Sequence, residues 1–283
     1  MENINKIAII GPGVMAEAII SGLTRNQIIP ASAIIAAGPE ASRGKELVDL
    51  YGIGFTTENS QAVDQAEIII LSVKPQKLTG VLNGLRGKLH PDALVISIIA
   101  GASIDTIRKG LMHDVIVRAM PNTPAQIGQG ISVWTYSTDV TDEQKLLAQE
   151  ILRALGQEIM LEEESYLDMA TALSGSGPAY VFLFMEALID AGVHLGFPRR
   201  IAEQLVLQTL RGSVEYYAEK KDHPAELRNE VTSPGGTSAA ALYYLEKAGF
   251  RTAISRAIWA AYERSQELGK GKSGQTPDKP SEF

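Results

Sequence analysis

The stretch "IAIIGPGVMAEA" places Gly11, Gly13 and Ala16 at GxGxxA spacing, after a short Ile-rich run and before an amphipathic one. In that setting each small residue has its own task. The first permits a tight turn, the second lets backbone approach a pyrophosphate, and the third lets a helix pack closely on a strand. The helix start that follows offers free N–H groups and positive potential to an anion. The plain alternative is a tight turn that binds nothing. Because the motif opens the first strand–helix unit of the chain, it predicts dinucleotide binding.

A second stretch, "VTSPGGTSAAAL" (231–242), interrupts a run of helix-like sequence. Pro234, Gly235 and Gly236 make a turn that allows unusual dihedrals. Thr237 and Ser238 then read as cap-type residues opening a helix. The small residues beyond them leave room for a ligand to touch backbone. Here the plain alternative is a capped helix and nothing more.

The end of the second apolar run, "AAGPEASR", bears on which dinucleotide is held. An NAD site usually carries an acid there for the ribose hydroxyls. Ala36, Ala37 and Gly38 carry no charge, and Glu40 comes only after Pro39. The missing acid removes repulsion against a 2′-phosphate. Ser42 and Arg43 lie within reach of one, although Arg43 reads equally well as a solvated helix charge. NADPH is therefore expected, with NADH as the alternative.

The elements that must position these motifs alternate in the first half of the chain. "KIAII" (6–10), "AIIAA" (33–37), "EIIILSV" (67–73), "ALVISII" (93–99) and "VIVRAM" (115–120) read as buried strands. Residues 14–23 and 40–51 read as helices between them. "GISVWTYS" (130–137) and "QEIML" (157–161) extend the sheet. This alternation predicts an α/β Rossmann-like N-terminal domain, covered on both faces. From Tyr166 onward no convincing strand follows, and the pattern predicts an all-α C-terminal dimerisation domain. The expected division is 1–162 for the NAD(P)-binding domain, 163–268 for the helical substrate and dimerisation domain, and 269–283 for a disordered tail. The helix around Tyr180 to Phe184 is apolar on every side, which suits a core helix or burial against a second copy of the chain. A dimer is the expectation.

Composition removes several classes of function. The 283 residues include no cysteine, which excludes disulfides, thiol nucleophiles and zinc–thiolate sites. The four histidines show no ligand spacing, so no metal site is expected. A formal charge of −7 argues against nucleic acid or an anionic membrane as the main partner. The start "MENINKIAII" lacks a basic region followed by a long apolar run, and the most apolar segments are short or interrupted by Glu186 and Asp190. The expected location is the cytoplasm, with no membrane partner.

The glycine loop, "LSVKPQ", "RAMPNTPAQIGQG", "ALSGSGPAY" and "VTSPGGTSAAAL" occur in that order. On these motifs, which run through both halves, the chain resembles the pyrroline-5-carboxylate reductases. The resemblance implies NAD(P)H-dependent reduction of 1-pyrroline-5-carboxylate to L-proline, the last step of proline synthesis. It implies a homodimer, in many members further assembled as five dimers in a ring. It also implies site residues. Gly11, Gly13, Val14 and Met15 match the pyrophosphate loop. Asn59 matches an asparagine near the adenosine ribose and its phosphate. Val73, Lys74 and Pro75 match the loop over the cofactor. Ala100 and Gly101, and then Pro121, Asn122, Thr123 and Pro124, match loops on the nicotinamide side. Ser233, Gly236, Thr237, Ser238 and Ala239 match the substrate loop.

Three positions depart from the family pattern. Val14 stands where many members have a polar residue, but its backbone can still serve a phosphate. Ala37 stands where some members offer a hydroxyl to the 2′-phosphate. Ser238 replaces the usual Thr and keeps the hydroxyl.

The motifs contain no His, Cys or paired carboxylate, and hydride transfer to a protonated imine needs no strong protein acid. Ser238 is the candidate catalytic residue, hydrogen-bonding the ring nitrogen. Lys74 reads better as a loop residue beside the cofactor. A hydroxyacid dehydrogenase is the nearest rival, but its helix-borne catalytic Lys has no counterpart in "GSGPAYVFLFMEALIDAGV". The other rival is a non-catalytic dinucleotide-binding protein, against which the retained Ser233 and Ser238 count.

Overall fold

A computed structural model describes residues 4–269. The 269–283 tail expected to be disordered lies, from residue 270 on, outside the described residues. The strands are β1 (Ile7–Ile10), β2 (Ile34–Ala37), β3 (Gly54–Thr56), β4 (Ile68–Leu71), β5 (Leu94–Ser97), β6 (Ile116–Met120), β7 (Gly130–Tyr136) and β8 (Gly156–Met160). The helices of the first half are α1 (Val14–Arg25), α2 (Ala41–Tyr51), α3 (Asn59–Val63), α4 (Leu78–Leu85), α5 (Ile104–Leu111) and α6 (Asp142–Arg153). Those that follow are α7 (Tyr166–Ala170), α8 (Gly177–His194), α9 (Arg199–Lys220), α10 (Pro224–Glu230), α11 (Thr237–Lys247) and α12 (Phe250–Gly269).

The eight strands form one sheet in the order β3-β2-β1-β4-β5-β6-β7-β8. The reversal between β2-β1 and β4-β5 opens the crevice in which doubly wound sheets bind ligands. Side chains alternate across the sheet. Ile7 and Ile9 pack with Ile19, Leu23, Leu47 and Leu152 on one face. Ala8 and Ile10 pack with Val63, Leu82 and Ile107 on the other. All four residues of β1 are fully buried, and each buried Ile contributes about 1.5–3 kcal/mol.

Two features of the sheet go beyond the sequence reading. β3 holds only three residues, too few for a periodic signal. β7 pairs antiparallel to β6, because the connection 121–129 carries only a 3₁₀ turn, Thr123–Ile127, where a parallel crossover would need a longer one. β8 then pairs parallel to β7 after the intervening α6.

The chain divides into two compact units, one of Met1–Gly177 with Ala260–Phe283 and one of Pro178–Trp259. The packing boundary thus falls later than the expected division after residue 162. The cause is that Leu167, Thr171 and Ala172 are buried in the first unit. A π-type turn, Thr171–Gly175, follows α7 and is closed by Ser176 N–H donating to the Thr171 carbonyl at 2.8 Å. The end of α12 also belongs to the first unit.

The second unit is helical throughout. Ala202 is its single buried residue. Phe182, Leu183, Leu195, Tyr243 and Tyr244 are each at least 60% exposed. Bare apolar faces of this extent mark an interaction surface. The helical run Tyr166–His194 is also, by length and composition alone, long and apolar enough to cross a membrane.

Candidate active site

The sequence before α1 builds a cradle. Gly11 takes φ +94°, and a Cβ there would meet Val73 Cγ1 at 2.6 Å and the Ser72 carbonyl carbon at 2.9 Å. The first glycine is thus required by the fold. Gly13 is different, since a Cβ on it would meet nothing within 4 Å. It is the N-cap of α1, and no side chain caps that helix. The first-turn N–H groups, those of Val14 and Met15 among them, therefore keep their capacity for an anion. Val14 is 56% exposed, while Met15 is half-buried with its side chain against the core. Only the backbone of Met15 serves the cradle.

A cleft of about 640 Å³ opens over this cradle at the strand-order reversal, lined in part by Gly11, Gly13, Asn59, Val73 and Lys74. Motif residues scattered from Gly11 to Lys74 are brought together here. Gly38 and Glu40 also line it, with Arg43, Thr57 and Lys77. Lys77 and Thr57 were missed in the sequence. The only hint of Lys77 was a second lysine three residues after Lys74. Gly38 packs so closely on the Pro12 ring that a side chain has no space there, and Ala37 is fully buried. The end of β2 thus cannot carry the acid of an NAD site without rearrangement. Glu40 is the acid present in the cleft.

Arg43 is anchored. Its Nε donates to the Pro12 carbonyl at 3.1 Å, one amino group donates to Glu46 at 3.0 Å, and the other pairs with Glu17. Tyr51 donates its hydroxyl to the second Glu17 oxygen at 3.0 Å. The hydrogen bond from Arg43 lowers the pKa of Glu17, and its counterpart raises that of Arg43. Partial burial raises that of the Tyr51 phenol.

The remaining expected cofactor residues lie outside this cleft lining. Pro75 opens the 3₁₀ turn Pro75–Lys77. Gly101, at φ +74°, lets its loop approach α12: a Cβ there would meet Gly269 N at 2.7 Å and Ser265 O at 3.0 Å. Ala100 beside it is half-buried. The Asn122 carboxamide is committed to the protein. It accepts from Ile131 N–H at 3.0 Å and donates to the Ser174 carbonyl at 3.2 Å. That ties the loop after β6 to the π-type turn.

In the second unit, Ser233, Gly236, Thr237, Ser238 and Ala239 come together at the start of α11. Gly235 takes φ +72°, and Gly236 N–H donates to the Ser233 carbonyl at 3.0 Å. The cap assignment needs correction. Gly236 is the N-cap, Thr237 and Ser238 lie inside the helix, and no side chain caps it. The reason is the turn, which puts Gly236 in the extended conformation that a cap position needs. Neither hydroxyl is spent as a cap, so the loop is better suited to a ligand than the sequence reading allowed.

A dinucleotide cradle on a doubly wound sheet, with a helical unit whose apolar faces await a partner, defines a Rossmann-type oxidoreductase with a helical association domain. A family model described as pyrroline-5-carboxylate reductase dimerisation matches residues 164–268, and one described as NADP oxidoreductase, coenzyme F420-dependent, matches 6–101. Pyrroline-5-carboxylate reductase of Synechocystis is 44% identical over 94% of this chain and 98% of its own. That of Corynebacterium melassecola is 41% identical over 93% of this chain and 98% of its own. A crystal structure of Plasmodium falciparum pyrroline carboxylate reductase with NADP bound superposes with a TM-score of 0.87 at 35% identity, covering 95% of this chain and 99% of that one. The chain belongs to the pyrroline-5-carboxylate reductase family. Prephenate dehydrogenase from A. aeolicus, at 14% identity and a TM-score of 0.53, shares the fold alone. The apolar run Tyr166–His194 falls wholly within the family's dimerisation region.

Proposed function

We propose that this chain reduces 1-pyrroline-5-carboxylate to L-proline with NAD(P)H. The observation that carries the reading is family membership along 94% of the chain, and the open cradle at Gly13 fits a pyrophosphate. Gly11, Gly13 and the N–H groups of Val14 and Met15 hold that pyrophosphate. Asn59 and Arg43 take the adenosine end, and Val73, Lys74 and Pro75 border the cofactor. Ala100, Gly101 and Asn122 form the nicotinamide side, where the bound cofactor supplies hydride.

The start of α11 receives the substrate. Backbone N–H groups of Thr237, Ser238 and Ala239 bind its carboxylate, as helix N-termini bind anions. Ser233 and Thr237 add hydroxyls without bulk. Ser238 donates or accepts a hydrogen bond at the ring nitrogen and so fixes the imine for attack on one face. Orientation of this kind is a large part of catalysis by such a site.

NADPH is the preferred cofactor in this reading. Support comes from the space denied to an acid at Gly38 and from the anchored Arg43, with Glu40 in the cleft pulling the other way. The dimerisation region suits a homodimer. Assembly into five dimers rests on the family resemblance. Oxidation of NADPH and of NADH, followed with the cyclic imine present and absent, tests the function. Absence of imine-dependent oxidation with both cofactors would remove it.

A further inference from the structure

Arg118 stands in the middle of β6 with its side chain 5% exposed, and the cofactor cradle does not use it. A buried cation has to be paired. Its two partners come from the segment that leads toward the second unit. One amino group donates to Glu164 Oε1 at 2.8 Å and the other to Asp168 Oδ1 at 3.0 Å.

Each carboxylate oxygen makes a second bond. Glu164 Oε1 accepts from Ile104 N–H, the first residue of α5, at 2.8 Å. Asp168 Oδ1 accepts from the Ser265 hydroxyl at 2.9 Å, and Ser265 is 2% exposed in the last turns of α12. Those same turns lie against Gly101, where even a methyl group would collide. The loop 98–103 is thereby held from both sides. Its far end is fixed through Glu164 at the start of α5, and its middle rests on α12, which Asp168 secures. This loop follows β5 on the same edge of the sheet as the cradle, and Ile98 N–H donates to the Leu71 carbonyl at the end of β4.

We infer that Arg118 is a positioning residue for the reaction, holding the loop of Ala100 and Gly101 through Glu164 and Asp168. This inference rests on the proposal that the loop forms the nicotinamide side. The ion pairs do more than stabilise, because one of their second bonds ends at the start of α5, where that loop finishes, and the other on the helix behind the loop. A shift of about 1 Å in a positioning element can cost on the order of a hundredfold in rate. Loosening the brace lowers turnover. Affinity for the cofactor, gripped at its pyrophosphate and adenosine end, stays nearly constant.

The test compares Glu164→Ala with Glu164→Gln in the full-length chain. The alanine removes the acceptor for Ile104 N–H, while the glutamine keeps it. Expected for Glu164→Ala is a fall in kcat of about tenfold or more, with the NADPH dissociation constant within about twofold and faster amide exchange at 98–104. Glu164→Gln should recover most of the turnover. Wild-type kcat in folded Glu164→Ala overturns the inference, whether or not exchange quickens. If Glu164→Ala does not fold, Ser265→Ala replaces it and is read in the same way. A wild-type enzyme without imine reduction would instead remove the functional reading. Exchange at 98–104 then decides whether the brace exists: faster exchange in the variant retains it, and unchanged exchange removes it.

Discussion

Arg43 of α2 and Glu17 of α1 pair beside the glycine loop, and the same guanidinium holds the Pro12 carbonyl inside that loop. One arginine therefore links two helices to the cradle while lining the cleft. It is 26% exposed, not a freely solvated charge. A planar guanidinium fixed in this way can meet a phosphate without first losing its rotamer freedom. Arg43→Gln should weaken NADPH binding about tenfold, equivalent to about 1.4 kcal/mol, and change NADH binding little. Fluorescence titration with both cofactors reads the difference. An equal loss for both would mean that Arg43 only props the loop through Pro12.

The same pair gives a pH dependence. Arg43 lowers the pKa of Glu17 below its ordinary value, so the folded state holds the ionised form more strongly than the unfolded state does. This contribution to stability is complete above the usual Glu range. It is lost as pH falls through that range toward the lowered folded-state value. The pair is partly exposed, so the effect is small, roughly 0–1 kcal/mol. Wild type should melt slightly above Glu17→Gln at pH 7 and lose that lead in acid, as pH falls below the usual Glu range. A constant gap across this window would show that the difference is packing rather than charge.

Gly11 and Gly13 should fail in different ways. Gly11→Ala meets both positive φ and the Val73 side chain, and strain of this kind typically costs 1–3 kcal/mol. It should lower the melting temperature. Gly13→Val has open space around its Cβ and should melt close to wild type, yet lose cofactor affinity by roughly tenfold or more because the added bulk occupies the pyrophosphate position. Normal NADPH affinity in Gly13→Val would move the pyrophosphate away from this loop.

Legibility in the sequence followed the range of the signal. β1, β4 and β5 were readable because each is a short apolar run buried on both faces. The GxGxxA loop was readable because its neighbours along the chain supply its context. β3 was not, since Gly54, Phe55 and Thr56 show no period. The packing boundary was not, since Leu167 and Ala172 turn inward after the strands have ended. The two hydrogen bonds that Asn122 makes, with Ile131 and Ser174, span up to 52 residues, beyond anything local spacing carries. Arg118 did leave a signal. A charge between Val117 and Ala119 in a buried strand demands partners, although the sequence does not say which.

The bare second unit predicts that association and folding of the helical region are coupled. Leu183 is 67% exposed and Phe182 62% exposed on the apolar helix α8. Wild type should sediment with no substantial monomer at micromolar concentration. Leu183→Glu should shift it toward monomer and lower its melting temperature, because a charge would be buried at the interface. A stable, fully active monomer would remove the argument from exposure.

Ser238 separates catalysis from helix capping, because Gly236 already occupies the cap position. Ser238→Ala should therefore leave α11 intact and show no cap penalty of about 0.5–2 kcal/mol. If the hydroxyl bonds the ring nitrogen as imine becomes amine, kcat should fall about tenfold or more, which corresponds to about 1.4 kcal/mol of transition-state stabilisation. NADPH affinity should hardly change, since the hydroxyl is assigned to substrate. Ser238→Thr restores the usual family residue with one added methyl and should stay active. Turnover is compared under saturating imine and cofactor, with melting temperature recorded for each variant. Unchanged kcat and unchanged KM in Ser238→Ala would mean that the imine needs no partner at its nitrogen. Binding would then rest on the N–H groups of Thr237 to Ala239 alone. A fall in melting temperature with kcat intact would place the hydroxyl in the helix rather than in the reaction.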